Sequence, residues 1–282
     1  LGDVYKRQVL CVVAAMLDSN VKRRKEIEAL TAIPVYGELP RKLRKLKNQE
    51  IVVNLEEPSE LSECFPLLAE RMVALSDENA GKPLSVLITS TCSGEGKTYL
   101  SVNLALPLAV AGKKVLLMDM DLRKGSLSSL LGGAGKPGIG DLEQAGEGGW
   151  RSLVEQSPVS AHLDYLFAGT LPDHPSRLLL HDRIRKLMEE LKEQYDFIFM
   201  DCVPYSSLAD AHIVARLADV TLYVMRAGCV KKRDLAGLQK IWKNGELKRM
   251  GIVLCDVEPH GRSSRGYAVY RSLDTSSPCA EK

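Results

Sequence analysis

Ser93-Gly94-Glu95-Gly96-Lys97-Thr98 is a short run of small and polar residues carrying one lysine and one hydroxyl. Glycines at 94 and 96 let the backbone curl round an anion with no Cβ in the way. Lys97 supplies a point charge, and the Thr98 hydroxyl is an oxygen ligand suited to Mg²⁺. Together these residues could cradle the phosphates of a nucleotide, with Ser93, Gly94, Glu95, Gly96, Lys97, Thr98 and Tyr99 as the binding set. A strict Walker A loop has glycine at the place Thr91 occupies here. A glycine-rich turn that binds nothing is the alternative.

Two further groups could act on the same anion. Asp119-Met120-Asp121-Leu122-Arg123 places two carboxylates one residue apart. In an extended segment alternate residues point the same way, so Asp119 and Asp121 would share a face. Asp201 closes the apolar run Tyr195-Asp196-Phe197-Ile198-Phe199-Met200, the Walker B pattern that holds Mg²⁺.

The elements that must position these groups follow from the pattern around them. Leu84–Thr89 is a short apolar, partly β-branched run and predicts a buried strand feeding the loop. Apolar residues recur at helical spacing from Tyr99 to Val110, so a helix N-terminus should face the anion. Lys114–Met118 and Tyr195–Asp201 predict strands that discharge their acids at one sheet edge, where ligands sit in open α/β sheets. Later segments continue the alternation: a strand over Leu163–Phe167, a helix at about 176–194, a helix over Leu208–Leu217, a strand over Val220–Met225, a helix over Lys231–Trp242 and a strand over Gly251–Cys255. That order implies an α/β fold, a P-loop NTPase-like, mostly parallel sheet with helices on both faces. Pro107 falls inside the helix after the loop and predicts a kink there. The glycine-rich stretch 125–150 reads as loops around a short helix.

VLLMDMDLRK, a Walker A′ element, together with DFIFMDCVPYSSLADAHIVARLADVTLYVMRAG, resembles the bacterial tyrosine kinases of capsule and exopolysaccharide export, from about residue 50 to about residue 270. The partition and septum-site ATPases share that fold but carry a signature lysine where Cys92 stands. The resemblance implies a kinase that transfers phosphate from ATP with Mg²⁺. Lys97 would offset phosphate charge, Thr98 with Asp121 or Asp201 would hold the metal, and Asp119 would accept the tyrosine proton. Arg123 would offset charge on the transferring group or pair with an acid. The acceptors would be Tyr267 and Tyr270 in the tail. Self-association in a ring or dimer is expected through a Glu-x-x-Arg element, of which Glu63 matches while Pro66 replaces the arginine. The family's adenine-reading Asn is replaced by Cys255. Polysaccharide export and polymerisation proteins would be partners, at the cytoplasmic face of the bacterial inner membrane. Two rival readings remain: a switch ATPase of the partition or septum type, and a nucleotide-binding scaffold without transfer activity.

Composition agrees with one α/β core and an appendage: 282 residues, 45% hydrophobic and 5% aromatic. Formal net charge is only +2, so no global field calls for nucleic acid. Seven scattered cysteines without a CxxC pair read as reduced thiols, and five dispersed histidines offer no ligand cluster. His212 reads as structural.

Residues 1–8, LGDVYKRQ, match one frame of a common transposon sequencing adapter and are expected to be an artefact. Val9–Met16 followed by Lys22-Arg23-Arg24-Lys25 reads as the end of a transmembrane helix, or as an amphipathic surface helix. Residues 9–40 are then that end with a cytoplasmic juxtamembrane tail, the segment EIEALTAIPVYGELP being similar to the tail of chain-length-determinant adaptors. Residues 41–58 form a basic linker that lies on anionic lipid or is solvated. The kinase domain is assigned to 59–258, opening on a helix at 59–78, and 259–282 to a flexible tyrosine-containing tail.

Overall fold

The computed structural model describes residues 19–41, 60–146, 148–206 and 208–258. The N-terminal apolar run, most of the basic linker and the tail with Tyr267 and Tyr270 lie outside these residues.

Strands that are apolar on both faces must be covered on both faces. In β3 (Val115–Asp119) Val115 and Leu117 join one hydrophobic cluster while Leu116 and Met118 join the other, and β6 (Phe197–Asp201) splits likewise. Around them lies one eight-stranded sheet in the order β1-β8-β7-β2-β6-β3-β5-β4. The remaining strands are β1 (Val35–Pro40), β2 (Leu84–Ser90), β4 (Val154–Gln156), β5 (Leu163–Leu166), β7 (Val220–Arg226) and β8 (Met250–Val257). All pairings are parallel except β4 with β5 at one edge.

On one face lie α2 (Glu60–Asp77) and α3 (Lys97–Val110). The other face is covered by α1 (Arg24–Leu30), α7 (Asp182–Lys192), α8 (Ala209–Ala215) and α9 (Leu235–Lys243). Short helices α4 (Ser126–Leu130), α5 (Leu142–Ala145) and α6 (Pro175–Leu179) lie in the connections.

Three elements differ from the sequence reading, two of them for physical reasons visible in the fold. Residues 24–40, read as a tail separate from the domain at 59–258, supply α1 and the edge strand β1, which pairs with β8. Ile27 and Ile33 are buried against that face, so the segment is held by apolar contact as well as by the strand ladder. The helix at 176–194 is two helices, because His181 leaves helical geometry and its ring accepts from the Arg183 amide, capping α7. The helix expected over Lys231–Trp242 opens instead with a tight turn over Lys232–Asp234. α2 and α3 run unbroken through Pro66 and Pro107. No helix among the described residues is long and apolar enough to cross a membrane.

Candidate active site

The carboxyl ends of β2, β3 and β6 are neighbours, and Asp119 and Asp201 stand opposite each other in the ladder. β2 ends at Ser90 and the chain turns through the phosphate loop into α3. Gly94 and Gly96 hold φ of +83° and +101°, a region that side chains rarely adopt. Gly96 caps α3 without any side-chain bond, so no side chain competes with an anion for the first-turn amides.

Lys97 Nζ donates to Ser90 Oγ at 3.0 Å, folding the ammonium back over the loop. Burial lowers its pKa while Asp201, Glu95 and Asp121 raise it, which marks these acids as its electrostatic partners. Thr98 Oγ1 donates to Asp201 Oδ2 at 2.6 Å. Asp201 is 1% exposed, and its second oxygen, Oδ1, is buried without a hydrogen-bond partner. Burial pushes its carboxyl up to about 7, against the lowering effect of the Thr98 bond.

An orphaned carboxylate oxygen beside a threonine hydroxyl is what a metal–phosphate site would satisfy, so the residues present fit Mg²⁺. Among the described residues no group of three or more His, Cys, Asp or Glu side chains is arranged to hold a metal alone. Mg²⁺ uses one or two carboxylates with waters and substrate phosphates, so Thr98 and Asp201 are the fitting pair.

The two acids of the Walker A′ stretch are already engaged. Asp119 is fully buried; Oδ2 accepts from the Ser128 amide and hydroxyl, each at 2.7 Å, and Oδ1 accepts from the Asp121 amide at 3.2 Å. Burial pushes its carboxyl up to about 6, against those hydrogen bonds. Asp121 is 9% exposed, and its oxygens accept from the Arg123 and Lys124 amides and from Ser126 Oγ. It therefore pins its own turn, within electrostatic reach of Lys97 and Asp201. Arg123 Nε donates to buried Asp210 at 2.6 Å, while Ser176 Oγ donates to the other Asp210 oxygen. Of the two roles expected for Arg123, pairing with an acid is the one the structure displays.

Other residues of the loop set are built into its walls. Glu95 is buried and its Oε2 accepts from the Cys92 amide at 2.6 Å. Thr91 is held by its hydroxyl on Tyr223 OH and by its carbonyl, which accepts from Ser206 Oγ. Tyr99 packs edge-on against Phe65 of α2, and Ser93 is exposed. Cys255 at the end of β8 lies under the loop, its sulfur 3.9 Å from where a Cβ on Gly96 would stand. His212 is exposed and stacks on Tyr205. Ser90, Ser128, Asp210 and Ser176 were not singled out from sequence, since no local pattern marks them; Ser176 and Asp210 meet partners 34 and 87 positions away.

Fold and site together define a P-loop nucleotide-binding protein. Residues 86–278 match the model of the CobQ/CobB/MinD/ParA nucleotide-binding domain, and the chain belongs to that family. Within it the chain belongs to the bacterial tyrosine-protein kinases. The tyrosine-protein kinase YwqD of Bacillus subtilis is 31% identical over 80% of this chain and 94% of its own length. The EpsB protein of Ralstonia nicotianae is 30% identical over 97% of this chain, which spans only 38% of that protein. Among solved structures, the BceF tyrosine kinase domain superposes with a TM-score of 0.73 at 27% identity, covering 84% of this chain and 99% of that domain.

Proposed function

We propose that this chain transfers the γ-phosphoryl group of Mg·ATP to tyrosine and so regulates polysaccharide polymerisation and export. The observation that carries this reading is the Thr98–Asp201 hydrogen bond, which leaves the buried second carboxylate oxygen for a metal beside a glycine-shaped phosphate loop. The loop amides and Lys97 bind the phosphates and offset their charge. Thr98 and Asp201 would hold Mg²⁺, which when bound neutralises charge developing between the phosphates. Asp119 accepts the proton of the incoming tyrosine hydroxyl, since a carboxyl titrating near 6 combines an ionised form with usable basicity at neutral pH. Arg123, held by Asp210, keeps a positive charge near Asp121 and the phosphates.

Tyr267 and Tyr270 are the proposed acceptors, on this chain or a second copy. Within the fold, the hydroxyls of Tyr36, Tyr165, Tyr195, Tyr205 and Tyr223 are all engaged in hydrogen bonds, which disfavours them as acceptors. Self-association would use the exposed face of α2 carrying Glu63, Pro66 and Leu67. Attachment at the cytoplasmic face of the inner membrane would come through sequence ahead of Arg24, and the partners would be export and polymerisation proteins.

Incubation with γ-labelled ATP tests the reading. The chain is expected to take up label on tyrosine, Lys97→Ala to abolish it, and Tyr267→Phe/Tyr270→Phe to remove most of it. Undiminished labelling of Lys97→Ala would overturn the mechanism. Phosphate release without any label would point to a switch ATPase instead, and neither signal to a scaffold.

A further inference from the structure

Asp119 does not hold its orientation unaided. A carboxylate turns broadly about its last torsion, so its direction is set by whatever donates to it. Ser128 supplies two of the three donors, both on Oδ2, and is itself 5% exposed on α4. Its hydroxyl is in turn fixed from behind, because the Ala168 amide donates to Ser128 Oγ at 2.9 Å. A hydroxyl has a single proton, and with the amide filling a lone pair that proton is left for Asp119.

Ala168 is held by the glycine-rich stretch, which in sequence reads as loops around a short helix. The Ile139 amide donates to Phe167 O at 2.9 Å and the Gly140 amide to Ala168 O at 2.8 Å. The Asp141 carboxylate ties both strands of this contact by accepting from the Gly138 amide at 2.9 Å and the Thr170 amide at 3.1 Å. Backbone meets backbone so closely that a Cβ on Gly138 would overlap Phe167 O, and one on Gly140 would overlap Thr170 O. The glycines are thus required by approach, not by φ.

We propose that Ser128 is a positioning residue for phosphoryl transfer: oriented by the Ala168 amide within the Gly138–Asp141 bracket, it locks the Asp119 carboxylate in the direction from which it receives the tyrosine proton. This rests on Asp119 being the proton acceptor. Ser128 is buried and spends both its amide and its hydroxyl proton on Asp119, so its loss should slow transfer without weakening nucleotide binding.

The test compares Ser128→Thr with Ser128→Val, which have the same shape and differ in the hydroxyl alone, so any packing strain cancels between them. Single-turnover labelling by γ-labelled ATP is measured in the full chain, alongside the affinity for a fluorescent Mg·ATP analogue and the melting temperature. Loss of a supporting shell around catalytic ligands commonly reduces activity about 10–100-fold. Ser128→Val is expected to transfer at least about tenfold more slowly than Ser128→Thr, with affinities within about twofold of each other. Asp119→Asn serves as the control for the underlying reading. If Asp119→Asn is inactive while the Thr and Val variants transfer equally, the positioning role is overturned and the base stands. Transfer at the wild-type rate by Asp119→Asn would overturn both. A parallel loss of nucleotide affinity in Ser128→Val alone would show a general structural role and also overturn the proposal.

Discussion

Replacing Asp201 by Asn separates the stability of the site from its use. Burial raises the Asp201 pKa from 3.8 to about 7 in the folded chain. The folded state therefore keeps a proton that the unfolded state has released, and stability falls as pH rises through that window. At about 1.4 kcal/mol per pKa unit, ionising this one group destabilises the fold by about 2–3 kcal/mol between about pH 5 and about pH 8. Asparagine cannot ionise, but its buried amide nitrogen would inherit a place with no partner, at about 1–3 kcal/mol. The metal-free variant should thus be nearly as stable as the wild type near pH 5. Near pH 8 it should be more stable, by about 2 kcal/mol or roughly 4–8 °C in melting temperature. Adding Mg·ATP at pH 8 should stabilise the wild type and leave the variant almost unmoved, since stabilisation follows affinity for the folded state. Thermal melts at the two pH values, with and without Mg·ATP, decide the matter. A wild-type-minus-variant difference that does not change with pH, or a variant less stable at pH 8, would refute the argument that Asp201 is a desolvated acid poised for a cation.

Further expectations concern the metal and the N-terminal segment. Thr98→Ala removes the hydroxyl on Asp201 and should weaken the Mg²⁺-dependent part of nucleotide affinity at least about tenfold, which isothermal titration with and without EDTA would reveal; Thr98→Ser should keep most of it. Ile27→Ala should destabilise the chain by about 2–4 kcal/mol, because that side chain, on the buried face of α1, is 0% exposed. Leu30→Ala, at a site 52% exposed, should change stability by less than about 0.5 kcal/mol in the same denaturant titration. Equal effects of these two would mean that α1 is not seated on the sheet.

The phosphate loop and the two acidic strand ends were legible because each is a local pattern: an apolar run that stops at an abrupt polar turn, followed after the loop by helical spacing. β1 was not. Ile33-Pro34-Val35-Tyr36-Gly37-Glu38-Leu39-Pro40 has the prolines and glycine of a linker, and such residues are tolerated in a strand chiefly at a sheet edge, where β1 lies. β4 is three residues long and offers no period to read. The split between α6 and α7 turned on a histidine ring acting as a cap, an uncommon choice. Within the site, sequence found the groups that could touch a nucleotide and missed those that hold them. Ser128 meets Ala168 across 40 positions, and Arg123 meets Asp210 across 87, separations at which no spacing rule operates.

The edge strand has a further bearing on how the molecule is made. Val35 of β1 takes Ile252 of β8 as its ladder partner, so the first strand of the sheet in chain order closes on the last. At about 5–20 residues per second on the ribosome, β1 waits roughly 10–40 s before its neighbour exists. During synthesis the inner strands can pair before this contact, whose large sequence separation makes it the kind of long-range closure that slows folding.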